Sequence, residues 1–134
     1  MHTANYPATL DQLEPMLLWI LEEAKTLGFA EQKLYQIRLV AEEVLVNIIN
    51  YGYPDKNGDI QINLIPKEKE SLTIEVVDSG ISFDPLSRPD PDLSLPLEDR
   101  KIGGLGVFLL RKLMDEVSYK RQDNRNILTF VKKL

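Results

Sequence analysis

The apolar residues of this chain change their spacing once, and that change fixes the order of its layers. Leu13, Leu17, Ile20, Ala24 and Leu27 recur every three or four positions, as do Leu34, Ile37, Ala41, Val44 and Ile48. Each set is one stripe of a helix. After the Tyr51-Gly52-Tyr53-Pro54 break the period drops to two. Ile60, Ile62 and Leu64, then Leu72, Ile74 and Val76, alternate with polar residues as in strands with one buried face. The spacing predicts a helix ending at Gly28, with Asp11 or Thr9 as cap and Pro15 in the first turn, and a second helix over residues 30–50. Residues 67–70 form a charged hairpin turn. A third helix opens at Gly103-Gly104-Leu105-Gly106 and buries Val107, Leu110, Leu113 and Met114. A hairpin over residues 117–121 and 127–133 turns across residues 122–126. Between them, residues 81–102 carry Pro85, Pro89, Pro91 and Pro96 and no sustained period; a loop of that length in a small domain is functional or disordered. Strands joined by hairpins, with helices grouped elsewhere, predict an α+β fold: a two-layer sandwich whose mixed, mostly antiparallel sheet is covered on one face by helices.

Composition removes several kinds of chemistry. The chain has 134 residues, enough for one domain. It has no cysteine, so disulfides, thiolate metal sites and cysteine nucleophiles are out. A reducing cytoplasm is the expected compartment. His2 is the single histidine and is expected at a mobile end, which disfavours multi-histidine zinc sites and imidazole triads. A net charge of −5 disfavours a nucleic-acid partner. No apolar run nears the roughly 20 residues that span a bilayer, and no signal peptide is visible, so no membrane partner is expected.

Three short segments carry candidate chemistry. Glu43 and Asn47 lie one helical turn apart in a segment that is otherwise apolar from residue 44 to residue 49. An amide oxygen suits magnesium and a carboxylate can take up a proton. Equally, Glu43 can sit at a solvent edge with Asn47 bonded to the sheet backbone. Asp78-Ser79-Gly80 ends a strand. It is either a plain turn or a carboxylate placed to accept from an exocyclic amine, with glycine admitting a flat ring. Gly103, Gly104, Leu105 and Gly106 open a helix, which leaves backbone N–H groups and the positive end of the helix dipole facing an anion. Arg100 and Lys101 stand just upstream. This is neither a P-loop nor a dinucleotide fingerprint.

In their order, Glu-x-x-x-Asn on a helix, Asp-x-Gly at a strand end and Gly-x-Gly opening a helix resemble the N, G1 and G2 boxes of the GHKL ATPase superfamily. The chain is similar to anti-sigma-factor serine kinases of bacterial partner-switching systems, the RsbW type, over nearly its whole length. The resemblance implies a single histidine-kinase-like ATP-binding domain over residues 1–134, with an ATP lid at about residues 81–102. It casts Glu43 as general base, Asn47 as the magnesium ligand, and Asp78 with Gly80 as the adenine contact. Arg100, Lys101, Gly103, Gly104, Leu105 and Gly106 would lie beside the phosphates, with ATP and Mg2+ as cofactors. It further implies transfer of phosphate to serine or threonine of a small STAS-type anti-sigma-factor antagonist, a sigma factor as second partner, and a homodimer. A catalytically silent, nucleotide-gated binding module is the alternative. Two departures stand out. Tyr51 occupies a place where many relatives carry histidine, and Ile102 separates the basic pair from the glycines.

Overall fold

The computed structural model describes residues 1–54, 56–82 and 104–134, with the side chains of residues 104–107 left out. The predicted lid and Arg100, Lys101 and Gly103 lie outside the described residues. A five-stranded sheet is built from β1 (His2–Pro7), β2 (Asp59–Lys67), β3 (Ser71–Asp78), β4 (Glu116–Gln122) and β5 (Arg125–Lys133), in the spatial order β1-β2-β3-β5-β4. Every neighbouring pair is antiparallel, so the described sheet has no parallel component. The helices are α1 (Leu13–Leu27), preceded by a 3-10 turn over Leu10–Gln12, α2 (Glu31–Asn47) and α3 (Gly104–Leu113).

The two-residue period places the core. Ile60, Ile62, Leu64, Leu72, Ile74, Val76, Leu128 and Phe130 all point to one face and are buried. Met16, Leu17, Ile20 and Ala24 of α1, Ile37, Val40, Ala41, Val44 and Leu45 of α2, and Leu110 of α3 close over them. Each such aliphatic side chain contributes about 1.5–3 kcal/mol when taken out of water. The opposite face of the sheet mixes polar side chains with Ile65, Val77, Ile127 and Val131. On it Thr3 donates to Asn63 Oδ1 at 2.9 Å and Asn63 donates to Glu75 at 3.0 Å. One covered face and one solvated face are what an antiparallel sheet permits.

Gly28 ends α1 with φ 104°, a left-handed conformation that admits glycine without strain, and its N–H reaches Ala24 O at 3.2 Å and Lys25 O at 3.0 Å. The expected caps are absent. Thr9 precedes the 3-10 turn without a side-chain bond to the backbone, and its hydroxyl donates to Asp11 instead.

Three expectations need correction. His2 is part of β1, paired with Leu64, with its Nε2 3.5 Å from Glu23. The strand escapes a periodicity reading because only Ala4 and Tyr6 are apolar and turned inward. The second helix stops being α-helical at Asn47, and residues Ile48–Gly52 form a π-turn. The apolar run Ile48-Ile49 conceals this, because a π-turn changes the hydrogen bonding and not the composition. The last hairpin turns in two residues, Asp123 and Asn124, both at positive φ (54° and 61°), as a type I′ connection requires.

The far end of α3 is fastened to β5. Lys132 Nζ, on a buried residue, donates to Leu113 O, Asp115 N–H donates to Val131 O at 2.9 Å, and Lys133 N–H donates to the Asp115 carboxylate at 2.7 Å. Burial pulls the Lys132 ammonium below its ordinary pKa, with Asp115 opposing that shift.

Candidate nucleotide-binding site

The α2 terminus and the end of β3 meet through backbone. The π-turn after Asn47 carries Gly52 to the strand end, where Gly52 O accepts the Ile81 N–H at 2.9 Å. A Cβ on Gly80 would lie 2.3 Å from that same Gly52 oxygen. No side chain fits there, so glycine at position 80 is required by the crossing of two backbones. Tyr53 adds a second tie. Its hydroxyl accepts the Ser79 N–H at 2.7 Å and donates to Asp59 O at 2.7 Å. Burial pushes its pKa up, so it remains a donor at neutral pH. A Cβ on Gly58 would lie 2.1 Å from the Tyr53 ring, so that glycine makes room for the ring. Sequence reading treats Gly58 as a turn former and Tyr53 as a helix terminator. A tyrosine five residues before a glycine, between a helix and a strand, was the available signal.

Asp78 is 6% exposed at the end of β3, on the helix-covered face. Its Oδ1 accepts the Gly80 N–H at 2.8 Å and the Asn126 side-chain N–H at 3.0 Å. The turn residue and its carboxylate thus form a closed local loop, in which Oδ1 of the buried carboxylate has its hydrogen bonds met. Asn126 is not among the residues singled out from sequence, where it reads as part of a turn. Register explains its place: β3 and β5 pair Val76 with Leu128, which sets Asn126 directly across from Asp78.

Glu43 and Asn47 stand one turn apart on α2, each half-buried, with no hydrogen-bond or ionic partner among the described residues. The reading in which Asn47 is consumed by the sheet backbone is therefore not what the fold shows. Burial, with the neighbouring Glu42 charge as a lesser cause, pushes the Glu43 carboxyl above the usual glutamate value. A carboxylate in this state holds a proton more readily than one in water, which suits proton uptake. Tyr51 is exposed. Gly104, Leu105 and Gly106 form the first turn of α3, as the sequence predicts, and offer backbone N–H groups at its N-terminus.

The donor set fits magnesium only in company. Among the described residues no group of three or more Asp, Glu, His or Cys side chains gathers to hold a free ion. Magnesium bound through one amide oxygen needs phosphate and water for the rest of its octahedron.

The whole arrangement has relatives. A model of the histidine kinase-like ATPase domain matches residues 6–132. Over 128 residues the chain is 30% identical to serine/threonine-protein kinase BtrW of Bordetella bronchiseptica, a match spanning 95% of this chain and 89% of that one. Over 126 residues it is 29% identical to serine-protein kinase RsbW of Bacillus cereus, spanning 91% and 78% respectively. RsbW of Bacillus anthracis is similar to the same extent. A buried aspartate and obligatory glycine at a strand end, a carboxylate and amide one turn apart on the adjoining helix, and these matches over almost the full chain lead to one conclusion: the chain belongs to the histidine kinase-like ATPase family, beside its RsbW and BtrW serine/threonine-protein kinases.

Proposed function

We propose that this chain is an ATP-dependent protein serine/threonine kinase and anti-sigma factor that phosphorylates a small STAS-type antagonist. The observation that carries the reading is the pair on α2 that has no partner among the described residues, Glu43 followed one turn later by Asn47, beside the strand end that carries Asp78. Asp78 accepts a hydrogen bond from the adenine amino group, and Gly80 admits the flat ring. Asn47 would hold the magnesium that accompanies the phosphates, which supplies neutralising charge. The start of α3, with Arg100, Lys101 and Gly103 ahead of it, cradles the phosphates. Glu43 takes the hydroxyl proton as the substrate oxygen bonds to the γ-phosphorus and the bond to the β-phosphate oxygen breaks, releasing ADP. Phosphoryl transfer needs little beyond such positioning and electrostatics. The unphosphorylated antagonist competes with a sigma factor for the kinase, its phosphorylated form releases the kinase, and two copies of the chain form the working unit.

The test pairs calorimetry with transfer of labelled γ-phosphate from MgATP to STAS-type antagonist proteins. Wild type is expected to bind ATP with magnesium and to label a serine or threonine. Asn47→Ala loses the magnesium dependence and Asp78→Asn binds more weakly. Glu43→Gln keeps binding and loses about 10²–10⁴-fold in transfer rate. Full transfer by Glu43→Gln would remove the base assignment. Tight MgATP binding without transfer to any antagonist would leave the nucleotide-gated binding module.

A further inference from the structure

Asn126 and the side chains around it have no role in the reading above, yet they hold its centre. The side-chain N–H groups of Asn126 reach Asp78 Oδ1 at 3.0 Å and Ile81 O at 2.8 Å. Its Oδ1 accepts from the Tyr119 hydroxyl at 2.5 Å and from Arg121 Nη1 at 3.1 Å. Arg121 Nη1 also donates to Gly80 O at 2.9 Å. The orientation of the amide is dictated by these partners. Turned over, its oxygen would face a carboxylate and a carbonyl, and its nitrogen would face two donors. Asn126 is 6% exposed and comes from β5, opposite Asp78 in register. Tyr119 and Arg121 come from β4, on the same face. β5 thus holds one oxygen of the Asp78 carboxylate through Asn126, and β4 holds Asn126 from behind.

The consequence lies on the other oxygen. With Oδ1 held by Gly80 N–H and by Asn126, Asp78 has one orientation, and no donor among the described residues meets Oδ2. We propose that Asn126 is the specificity-positioning residue of the nucleotide site: backed by Tyr119 and Arg121, it fixes Asp78 so that its second oxygen is presented to the exocyclic amine of a 6-aminopurine. The same amide holds Ile81 O, so the turn that Gly80 shapes and the carboxylate that reads the base are set by one group. This deepens the proposed function and rests on Asp78 being the adenine contact.

A structural role would weaken every nucleotide alike, whereas a positioning role acts on the amine alone. The experiment is therefore calorimetric titration with MgATP and with magnesium purine riboside triphosphate, which lacks the 6-amino group. It uses wild type, Asp78→Asn, Asn126→Ala and Tyr119→Phe, with thermal melts alongside. Wild type is expected to prefer ATP by about tenfold, the size of one hydrogen bond to a charged group. Asn126→Ala is expected to lose most of that preference while its affinity for the desamino nucleotide changes by about twofold or less. Tyr119→Phe keeps the ring and removes only the hydroxyl behind Asn126, so it moves the ratio the same way by about threefold and decides the matter if Asn126→Ala does not fold. Equal weakening of both nucleotides, or an unchanged ratio in both variants, overturns the role of Asn126 while Asp78→Asn still abolishes the preference. A preference that survives in Asp78→Asn overturns the adenine reading and the positioning role together.

Discussion

The two halves of the candidate site, the proposed base-binding end and the proposed reacting end, are built in opposite ways. At the base-binding end, Asp78 is tied by Gly80 and Asn126, Asn126 by Tyr119 and Arg121, and the turn by Gly52 and Tyr53. At the reacting end, Glu43 and Asn47 stand half-buried on α2 with no partner among the described residues. The first half is assembled before any ligand arrives. The second keeps its polar groups uncommitted among the described residues, which leaves their hydrogen bonds and charge available to the phosphate, metal and attacking hydroxyl of the proposed reaction. Recognition of a base that does not change during the reaction gains from a fixed acceptor. Transfer of charge gains from groups whose interactions strengthen only as the reaction proceeds.

This contrast can be broken most forcefully at Gly80. In Gly80→Ala a methyl group meets the Gly52 carbonyl, and one of two backbones must move. Chemical denaturation should show a loss of about 2 kcal/mol, and calorimetry at least a tenfold loss of ATP affinity. Wild-type binding in that variant would mean the base-binding end is not as fixed as its geometry implies. A smaller change sharpens the contrast from the far side of the hairpin. Asn124→Gly relieves a positive φ of 61° without touching Asn126, so it should raise stability by about 0.5 kcal/mol and leave nucleotide affinity unchanged. The smallest effect concerns the reacting end. Glu43 has a raised pKa in the folded state, so the native protein binds its proton more tightly than the unfolded chain does. That group's contribution to stability is therefore lost as pH rises from the ordinary glutamate value through the folded one. Glu43→Gln should melt slightly higher than wild type at pH 7, and the gap should close as the pH falls below 4.5. A gap that widens in acid would show that Glu43 is held by a favourable partner.

Much of this was legible in the order of residues, because amphipathic period encodes burial. The stripes of α1 and α2 and the inward residues of β2 and β3 follow directly from it, and so does the layer order. Burial shifts some assignments by one position: Met16, Val40 and Leu45 join the core, while Leu13, Leu27, Leu34 and Ile48 are only partly covered. The edge strand β1 was not legible, since two inward apolar residues make no pattern. Gln122 and Arg125 read as loop because both are polar and exposed, although they pair as strand ends. Glu43, Asn47, Asp78 and Gly80 are singled out by the order of three short motifs that resemble the family's boxes. Asn126 was missed because its importance lies in register across the sheet, 48 positions from Asp78. Only a pairing argument, matching Leu128 to Val76 and counting two residues back, would have found it.

The fastening of α3 to β5 has one more implication. Lys132, Asp115 and Val131 secure the helix at its carboxyl end, while Gly104 begins it ten residues away. A helix of that length is about 15 Å long, rooted in the sheet at its carboxyl end and packed on the core through Leu110. A tilt of about 10° at the root displaces the far end by about 2.6 Å, roughly the length of one hydrogen bond. With the phosphates held at the start of α3 as proposed, discrimination between two and three of them becomes a question of angle at a hinge far from the phosphates themselves, and stiffness at Lys132 would belong to the chemistry as much as to the scaffold.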